Sequence, residues 1–345
     1  MGKEKAEKII LSDYGCFLGM QKGCYILKDR HGNIKKFPQL EAEIGEVVLM
    51  SGNMVSTGVL ASFGYWDIDV LVATRNGKPV AILKSLDDDS HVKTRICQYE
   101  AFKNGKSIEI AKTILKAKIE GQNQILKKYG LKQHDIVGLR ERINALKSKK
   151  IMEIRRKLIG IEGKHTKKYF NQIFQLFPEP LRVERRRSYK AYDGINNLFN
   201  LAYEILYYKC YQALIKTHLE PFLGFVHALE YSKPSLVLDF QEVYRYLVDD
   251  FVIEYAQDLK LKDFISKTEI VSRDKLGKRI YLNNAKTKDF LVELHGYFKR
   301  KVDVPRIKHG FKCEIETLIF EEAMLLAKYL RNERQKWFPR IVNLS

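Results

Sequence analysis

The hydrophobic pattern of this chain changes its period once, near residue 90, and this change constrains the fold more than any other feature. Before it, apolar residues form short or alternating runs, which is typical of β-strands. After it, they recur with a period of 3.6, which predicts helices. A polar run at 87–90 separates the two patterns. We therefore expect an α+β two-domain chain, with a small β-rich domain at 1–88 and a larger all-α-helical domain at 89–345.

The first domain is expected to contain strands at Lys8–Leu11, Cys16–Met20, Cys24–Leu27, Glu46–Met50, Val70–Thr74 and Val80–Leu83. Asn76-Gly77 predicts a hairpin turn, and Ser56 or Thr57 is expected to cap a short helix at Ser56–Phe63. The second domain is expected to contain helices at about 92–103, 107–128, 134–147, 151–175, 193–217, 239–257, 286–300 and 311–332. A small hairpin closed around Leu276-Gly277 is expected at Arg273–Tyr281.

Positive charge is concentrated in one part of the chain. Residues 101–200 hold 24 Lys and Arg against 9 Asp and Glu, which accounts for +15 of the net charge of +19, whereas residues 201–250 carry −3. Concentrated positive charge favours nucleic acid or an anionic membrane surface as the partner. No apolar run approaches the ~20 residues that span a bilayer. Nucleic acid is therefore the better interpretation, and the alternative is a solvated, lysine-rich surface.

The cysteines are scattered and form no C-x-x-C pair. They are Cys16, Cys24, Cys97, Cys210 and Cys313. This distribution fits reduced thiols in a cytosol and argues against structural zinc. The N-terminal residues M-G-K-E-K-A-E-K have no signal-peptide core. A cytoplasmic location is therefore expected.

Glu162 is a carboxylate at the edge of a predicted core-facing stripe. On the helix at 151–175 that stripe consists of Ile154, Leu158, Ile161, Tyr169 and Ile173. A carboxylate in such a place is costly unless it is paired, protonated or bound to a cation. The alternatives are a surface glutamate or a salt bridge to Arg155 or Arg156.

His227, Asp239 and Glu242 lie close together in the segment 221–245. Imidazole is a common metal ligand, although a lone histidine in an apolar run is more often a core residue. The spacing i, i+3 puts Asp239 and Glu242 on one helix face, where they repel unless a cation joins them. The alternative for Asp239 is a role as helix N-cap. Carboxylates with one imidazole suit Mg²⁺ or Mn²⁺ better than zinc.

Basic residues follow these acids in the sequence. Lys164, Lys167 and Lys168 share the helix of Glu162, and Arg245 lies one turn beyond Glu242. A loop-like cluster follows Pro180 and consists of Arg182, Arg185, Arg186, Arg187 and Lys190. Their functional interpretation is contact with the DNA backbone. The alternative for the cluster is an exposed, mobile loop.

Several of these segments match one set of motifs. I-E-G-K-H-T-K-K-Y-F at 161–170 has a glutamate ahead of an aromatic pair, and Asp193, Asn196, Asn200 and Tyr203 match D-x-x-N-x-x-x-N-x-x-Y. H-L-E-P-F-L-G-F-V-H at 218–227 matches G-L-D-P-x-x-G-x-x-H with His218 at the first glycine, and D-F-Q-E-V-Y-R follows at 239–245. R-I-C-Q-Y-E-A-F at 95–102 and A-K-I-E-G-Q at 117–122 also fit. Over nearly its whole length, the chain resembles the CRISPR-associated adaptation endonuclease/integrase family, the Cas-one family.

The resemblance implies a β-rich domain that forms a symmetric homodimer and a helical catalytic domain. It implies Glu162, His227 and Glu242 as ligands of Mg²⁺ or Mn²⁺, with Asp239 as the neighbouring catalytic acid. It further implies an enzyme that inserts protospacer DNA into CRISPR arrays, in which a 3′-hydroxyl attacks a phosphodiester. The implied partners are double-stranded and branched DNA and a small ferredoxin-like adaptation protein.

Three other functions are compatible with the same residues. A metal-dependent nuclease or branched-DNA resolvase would use water as the nucleophile in the same pocket. A non-catalytic architectural DNA-binding protein would use the acids only as caps and in salt bridges. A protein of the membrane surface is the third. Joining of a labelled 3′-hydroxyl donor to target DNA distinguishes integration from the nuclease. Dependence of activity on a divalent metal argues against the architectural protein.

Overall fold

The computed structural model describes most of the chain. The described residues are 7–11, 14–39, 44–66, 68–74, 79–83, 85, 92–148, 150–189, 191–272, 275–306 and 310–344. The predicted turn at Asn76-Gly77, the polar run at 87–90 and the candidate DNA-binding residue Lys190 lie outside them. The chain divides into two compact units, Met1–Ser90 and His91–Ser345.

Two sheets and one helix form the first unit. Its elements are β1 (Glu7–Leu11), β2 (Phe17–Gln21), β3 (Cys24–Lys28), β4 (Ile34–Pro38), β5 (Ile44–Met50), β6 (Met54–Val55), α1 (Thr57–Tyr65), β7 (Asp69–Ala73) and β8 (Pro79–Leu83). One sheet has the order β1-β5-β7-β8, in which only β8 is antiparallel to its neighbour. The other has the order β4-β3-β2-β6, in which β2, β3 and β4 run antiparallel.

The first unit has its own hydrophobic core. The side chains without exposure there are Leu18, Val47, Val59, Phe63 and Val70. Helix α1 starts after Ser56, whose side chain accepts a hydrogen bond from the backbone N–H of Val59, as predicted. Strands β4 and β6 were not predicted. β4 buries only Phe37 and β6 has two residues, so neither shows an alternating apolar pattern.

Long helices dominate the second unit. Its elements are α2 (Val92–Glu100), α3 (Lys106–Lys128), α4 (Ile136–Ala145), α5 (Ile151–Ile173), α6 (Gly194–Lys216), α7 (Ser235–Glu242), α8 (Arg245–Ala256), β9 (Phe264–Ser272), β10 (Lys275–Leu282), α9 (Asn284–Phe298), β11 (Lys301–Asp303), β12 (Lys312–Glu314) and α10 (Ile315–Leu330). The prediction of a β-rich region followed by a mostly helical one is confirmed. The second region is not all helical, because β9 pairs with β10 and β11 with β12. Within the described ranges, no helix has the length and apolarity needed to cross a membrane.

The single helix predicted at 239–257 is wrong. Helix α7 already begins at Ser235, and a turn at Val243 and Tyr244 separates it from α8. Both turn residues are fully buried and neither is glycine or proline, so the sequence contains no sign of the break. The predicted hairpin is also displaced: Ser272 pairs with Lys275, and Gly277 lies within β10 opposite Glu269.

Helix α3 lies at the centre of the second unit, where it packs against α4, α5, α7 and α8. Gly121 permits its closest approach to α8. A Cβ atom at this position would lie 2.5 Å from Cδ1 of Tyr246. That ring is buried, and its hydroxyl accepts a hydrogen bond from the backbone N–H of Val342 at 2.7 Å, so it has little freedom to move. The glycine of the A-K-I-E-G-Q motif therefore fixes the distance between α3 and α8.

Replacement of Gly121 by alanine is expected to lower the free energy of unfolding by about 1–3 kcal/mol, because the added methyl group overlaps a rigid ring. Urea unfolding followed by circular dichroism measures the change. The matched control is Gly160→Ala on α5, where a Cβ atom meets nothing within 4 Å. This variant should gain about 0.5–1 kcal/mol from helix propensity. Equal effects of the two substitutions would contradict the close approach at Gly121.

Candidate active site

Two glutamates from different helices meet on one lysine. The ammonium nitrogen of Lys118 on α3 lies 2.7 Å from Oε2 of Glu242 on α7 and also contacts Oε1 of Glu162 on α5. The structure thus brings together two of the three predicted metal ligands. The partner of Glu162 is neither Arg155 nor Arg156, the residues named by the salt-bridge alternative. A second contact orients Glu162, because the hydroxyl of Thr166 donates to Oε1 at 2.9 Å.

Glu242 is buried and negatively charged. Burial raises the pKa of its carboxyl, but the charges of Arg245 and Lys118 outweigh burial and bring the pKa to about 2. Arg245 Nη1 lies 3.2 Å from Oε1. Oε2 is buried and accepts no hydrogen bond of normal geometry, although it forms the ion pair with Lys118. Glu242 therefore offers a charged, buried oxygen that only a cation contacts.

Asp239 holds the segment 221–227 against α7. Its carboxylate is fully buried and accepts hydrogen bonds from the backbone N–H groups of Phe225, Val226 and His227, the last two at 2.8 Å. Asp239 lies inside α7, which begins four residues earlier, so the alternative role as helix N-cap is wrong. These backbone contacts fix the position of His227 at the end of the segment.

The imidazole of His227 is oriented by the same carboxylate. Its Nδ1 lies 2.6 Å from Oδ1 of Asp239, and its side chain is 32% exposed, so it is not a core histidine. A carboxylate bonded to one ring nitrogen fixes the ring and leaves Nε2 as the atom for a ligand or a proton. Asp239 therefore acts on His227 as a positioning residue.

Gly224 lets the segment 221–227 lie directly on α7. A Cβ atom there would lie 2.5 Å from the backbone carbon of Ser235. The segment is also held from α5 and α2. Arg155 donates to the carbonyl oxygens of Gly224 and Phe225 at 2.7 and 2.9 Å, and Gln98 donates to those of Glu220 and Leu223 at 3.0 Å. The backbone that carries His227 is thus fixed by three helices.

The described residues contain no group of three His, Cys, Asp or Glu side chains arranged as a complete metal site. They do contain two carboxylates that share one cation, and an imidazole oriented by Asp239, a residue of the same helix as Glu242. Carboxylate oxygens and one imidazole are suitable ligands for Mg²⁺ or Mn²⁺. The buried Oε2 of Glu242, whose partner among the described residues is a cation, is the kind of atom that such an ion would bind. Glu162, His227 and Glu242 therefore fit a divalent ion in their chemistry.

The candidate DNA-binding residues fall into two classes. Lys164, Lys168, Arg182 and Arg185 are exposed, and Arg187 is half-buried. Arg186 is engaged within the chain, where it donates to Oδ1 of Asn196 and of Asn200 at 3.0 and 2.6 Å. Its guanidinium also packs on three aromatic rings, those of Phe170, Phe199 and Tyr203. In this conformation Arg186 anchors the loop rather than presenting its charge to DNA.

Arg245 belongs to the interior of the site. Besides its ion pair with Glu242, its guanidinium lies 4.7 Å from the ring centre of Tyr203. The hydroxyls of Tyr203 and Tyr169 both donate to Asp249. Burial raises the pKa of Asp249 to about 6, against the opposing effect of these hydrogen bonds and of the nearby arginines. A buried polar network therefore continues from Glu242 into the helical core.

The family described as CRISPR associated protein Cas1 matches residues 9–294. The chain belongs to this family, and the resemblance found in its motifs is confirmed. The CRISPR-associated endonuclease Cas1 2 of Pyrobaculum aerophilum is 30% identical over 264 residues, which cover 74% of this chain and 85% of that protein. A CRISPR-associated endonuclease Cas1 1 of Archaeoglobus fulgidus is 25% identical over 96% of this chain and all of its own length.

Solved structures agree with the fold. A casposase bound to integration product matches 96% of this chain and 92% of its own, with a TM-score of 0.74 and 21% identity. A CAS1 protein from Thermotoga maritima matches 94% and 96%, with a TM-score of 0.71 and 19% identity. A chain of a Cas6-RT-Cas1–Cas2 complex matches 99% of this chain over 37% of its own length, with a TM-score of 0.73 and 20% identity. At these identities the likeness shows the fold alone.

Three residues that organise the site were not predicted: Lys118, Arg155 and Gln98. Lys118 and Gln98 lie in the motif segments at 117–122 and 95–102, so the segments were noticed but these side chains were not. All three are buried polar residues within helices. A long polar side chain on the buried face of a predicted helix is the signal that could have found them, because such a side chain needs a partner.

The low pKa of Glu242 predicts a pH-dependent contribution to stability. The pKa falls from about 4.5 in the unfolded chain to about 2 in the folded one, so the stabilisation is present above pH 4.5 and is lost as the pH falls through 2. Without metal, Glu242→Gln should cost about 3 kcal/mol at pH 7 and roughly half of that at pH 3. Urea unfolding in EDTA at both values measures this.

The control for this pH dependence is Glu254→Gln, which removes an exposed carboxylate paired with Lys128 at 2.7 Å. An exposed pair contributes less than about 1 kcal/mol, so this variant should change little at either pH. If the cost of Glu242→Gln were the same at pH 7 and pH 3, the ion pairs with Lys118 and Arg245 would not be the cause of the low pKa.

Proposed function

We propose that this protein is a metal-dependent DNA endonuclease and integrase that inserts protospacer DNA into CRISPR arrays. The observation that carries the proposal is the meeting of Glu162 and Glu242 on one buried cation, together with an imidazole that Asp239 orients from the helix of Glu242. Membership of the Cas1 family supports it, as do relatives that are named endonucleases. The likeness to a casposase bound to integration product favours strand transfer as the reaction.

The proposed reaction is phosphoryl transfer, in which a DNA 3′-hydroxyl attacks a phosphodiester and another 3′-hydroxyl departs. Catalysis of this reaction depends mainly on positioning and on neutralisation of charge. A divalent ion, held by Glu162, His227 and Glu242, would polarise the phosphate and stabilise the attacking or departing oxygen. Asp239 keeps the imidazole of His227 in one orientation. Arg245 supplies a fixed positive charge beside Glu242.

DNA is proposed to lie over the exposed basic residues of α5 and of the loop 182–189. Lys164 and Lys168 are on the exposed part of the helix that carries Glu162, and Arg182 and Arg185 are exposed on the loop. Such residues position the DNA backbone without reading its sequence. Arg187 is the further candidate on the loop.

A symmetric homodimer formed through the β-rich unit and a small ferredoxin-like adaptation partner remain proposals. The partner is supported by the likeness to a chain of a Cas6-RT-Cas1–Cas2 complex. The identity of the metal, Mg²⁺ or Mn²⁺, and the cytoplasmic location are predictions from the residues and the resemblance.

Hydrolysis by the same site is the second candidate function, because several relatives are named endonucleases. The two reactions differ only in the nucleophile, which is a DNA 3′-hydroxyl in one and water in the other. A DNA donor labelled at its 5′ end separates them. Integration joins the label to the target, whereas hydrolysis shortens the target and leaves the donor free.

Glu162→Gln, His227→Ala and Glu242→Gln are each expected to lower strand transfer at least about a hundredfold. Each removes a proposed ligand of the divalent ion that would neutralise charge at the phosphate. Binding of the same DNA should change less than about threefold, since binding depends mainly on the backbone contacts of the basic residues. Gel assays of joined product in Mn²⁺ and fluorescence anisotropy in EDTA measure the two quantities.

The control for these variants is Glu109→Gln, which changes an exposed glutamate of α3 that pairs only weakly with Lys112. It should leave both strand transfer and binding unchanged. Full strand transfer in any one of the three site variants would remove that residue from the proposed site.

The double variant Lys164→Ala/Lys168→Ala is expected to weaken binding of DNA of any sequence. Each lost phosphate contact makes the negative slope of log K against log salt shallower by about 0.9, so the magnitude of the slope should fall by about 2. Anisotropy titrations between 50 and 200 mM salt, roughly, measure it. The control is Lys299→Ala, which changes the exposed lysine that follows the last residue of α9 and should keep the slope. An unchanged slope in the double variant would place DNA elsewhere.

A further inference from the structure

Lys118 is a buried lysine whose charge is balanced by two carboxylates. Its side chain is 9% exposed, and its ammonium contacts Glu242 Oε2 at 2.7 Å as well as Glu162 Oε1. A buried ammonium is costly unless opposite charges surround it. Lys112, six residues earlier on α3, is equally buried, but its ion-pair partner among the described residues is an exposed glutamate, Glu109, at 3.6 Å. The environment of Lys118 is therefore specific to its position between the two glutamates.

The oxygens that Lys118 contacts belong to two of the three proposed metal ligands. The contacted oxygen of Glu242 is buried, and among the described residues its partner is the ammonium of Lys118. The other oxygen faces Arg245 at 3.2 Å. A divalent ion bound to these carboxylate oxygens would lie close to the ammonium, and the repulsion between the two cations weakens the binding of each.

We propose that Lys118 is an internal cation that competes with the divalent ion for Glu162 and Glu242. In the absence of metal, the ammonium joins the two carboxylates and holds α3, α5 and α7 in register. Binding of metal displaces the ammonium from these oxygens. This inference rests on the proposed function, because it takes Glu162 and Glu242 as metal ligands.

Competition predicts that removal of the lysine charge tightens metal binding. A purely structural role predicts the opposite, because loss of the bridge lets two like charges move apart and weakens the site. The sign of the change in metal affinity therefore distinguishes the two roles. Lys118→Met removes the charge and nearly keeps the length of the side chain. Lys118→Gln also removes the charge and keeps a donor for one carboxylate, so it serves if the methionine variant does not fold.

The experiment is a titration of the whole chain with Mn²⁺ in the absence of DNA, with free Mn²⁺ followed by electron paramagnetic resonance. Folding of every variant is checked by circular dichroism. We expect Lys118→Met and Lys118→Gln to bind Mn²⁺ at least tenfold more tightly than the unchanged chain. Lys112→Met, the equally buried lysine of the same helix, should bind it with unchanged affinity. Glu242→Gln should lose this binding, which assigns the ion to this site.

Unchanged or weaker Mn²⁺ affinity in both folded Lys118 variants would overturn the competition. Tighter binding in Lys112→Met as well would also overturn it, because the effect would then follow from net charge alone. If neither the unchanged chain nor the Lys118 variants bound Mn²⁺ at the Glu242 site, the proposed metal-dependent function would fail. The first two outcomes leave that function intact, so the two failures are distinguishable.

Discussion

The arrangement of the helical unit depends on one electrostatic constraint, the ammonium of Lys118 between Glu162 and Glu242. Charges this deeply buried are tolerated only when they are matched closely. The match requires α3, α5 and α7 to keep fixed positions relative to one another. Gly121 serves the same requirement, because its missing side chain lets α3 lie against Tyr246 of α8. Packing at Gly121 and the ion pairs of Lys118 thus both fix the distance of α3 from its neighbouring helices.

The second constraint is the fixing of a loop by a helix. Asp239 uses one carboxylate to accept three backbone N–H groups and to hold the imidazole of His227. Because those donors are consecutive residues, the loop has only one register on α7. Arg155 and Gln98 hold its carbonyl oxygens from the other side. The position of His227 is therefore a property of the helical core rather than of a free loop.

The sequence predicted the order of the regions and most helices because apolar periodicity is a local property. It also singled out Glu162, His227 and Glu242, of which the structure brings the two glutamates together, and their role as metal ligands stays a prediction. For Glu162 the partners considered were neighbours on its own helix. The true partner, Lys118, lies in another helix, and only the packing of α3 on α5 and α7 brings it near. The turn at Val243 and Tyr244 was missed because both residues are buried and neither is a helix breaker. It is a tertiary feature without a local signal.

The motif of Asp193, Asn196 and Asn200 has a structural explanation that the sequence did not show. Asn196 accepts from the backbone of Arg187 and donates to that of Arg185, and Asn200 accepts from the side chain of Arg186.

Arg186 inserts among aromatic rings of α6, and Asn196 of α6 holds the backbone on both sides of it. The loop that displays Arg185 and Arg187 is consequently rigid before any polyanion arrives. On the proposed role in DNA binding, less conformational freedom would be lost on association than for an unattached loop, so each exposed charge would contribute more to the affinity.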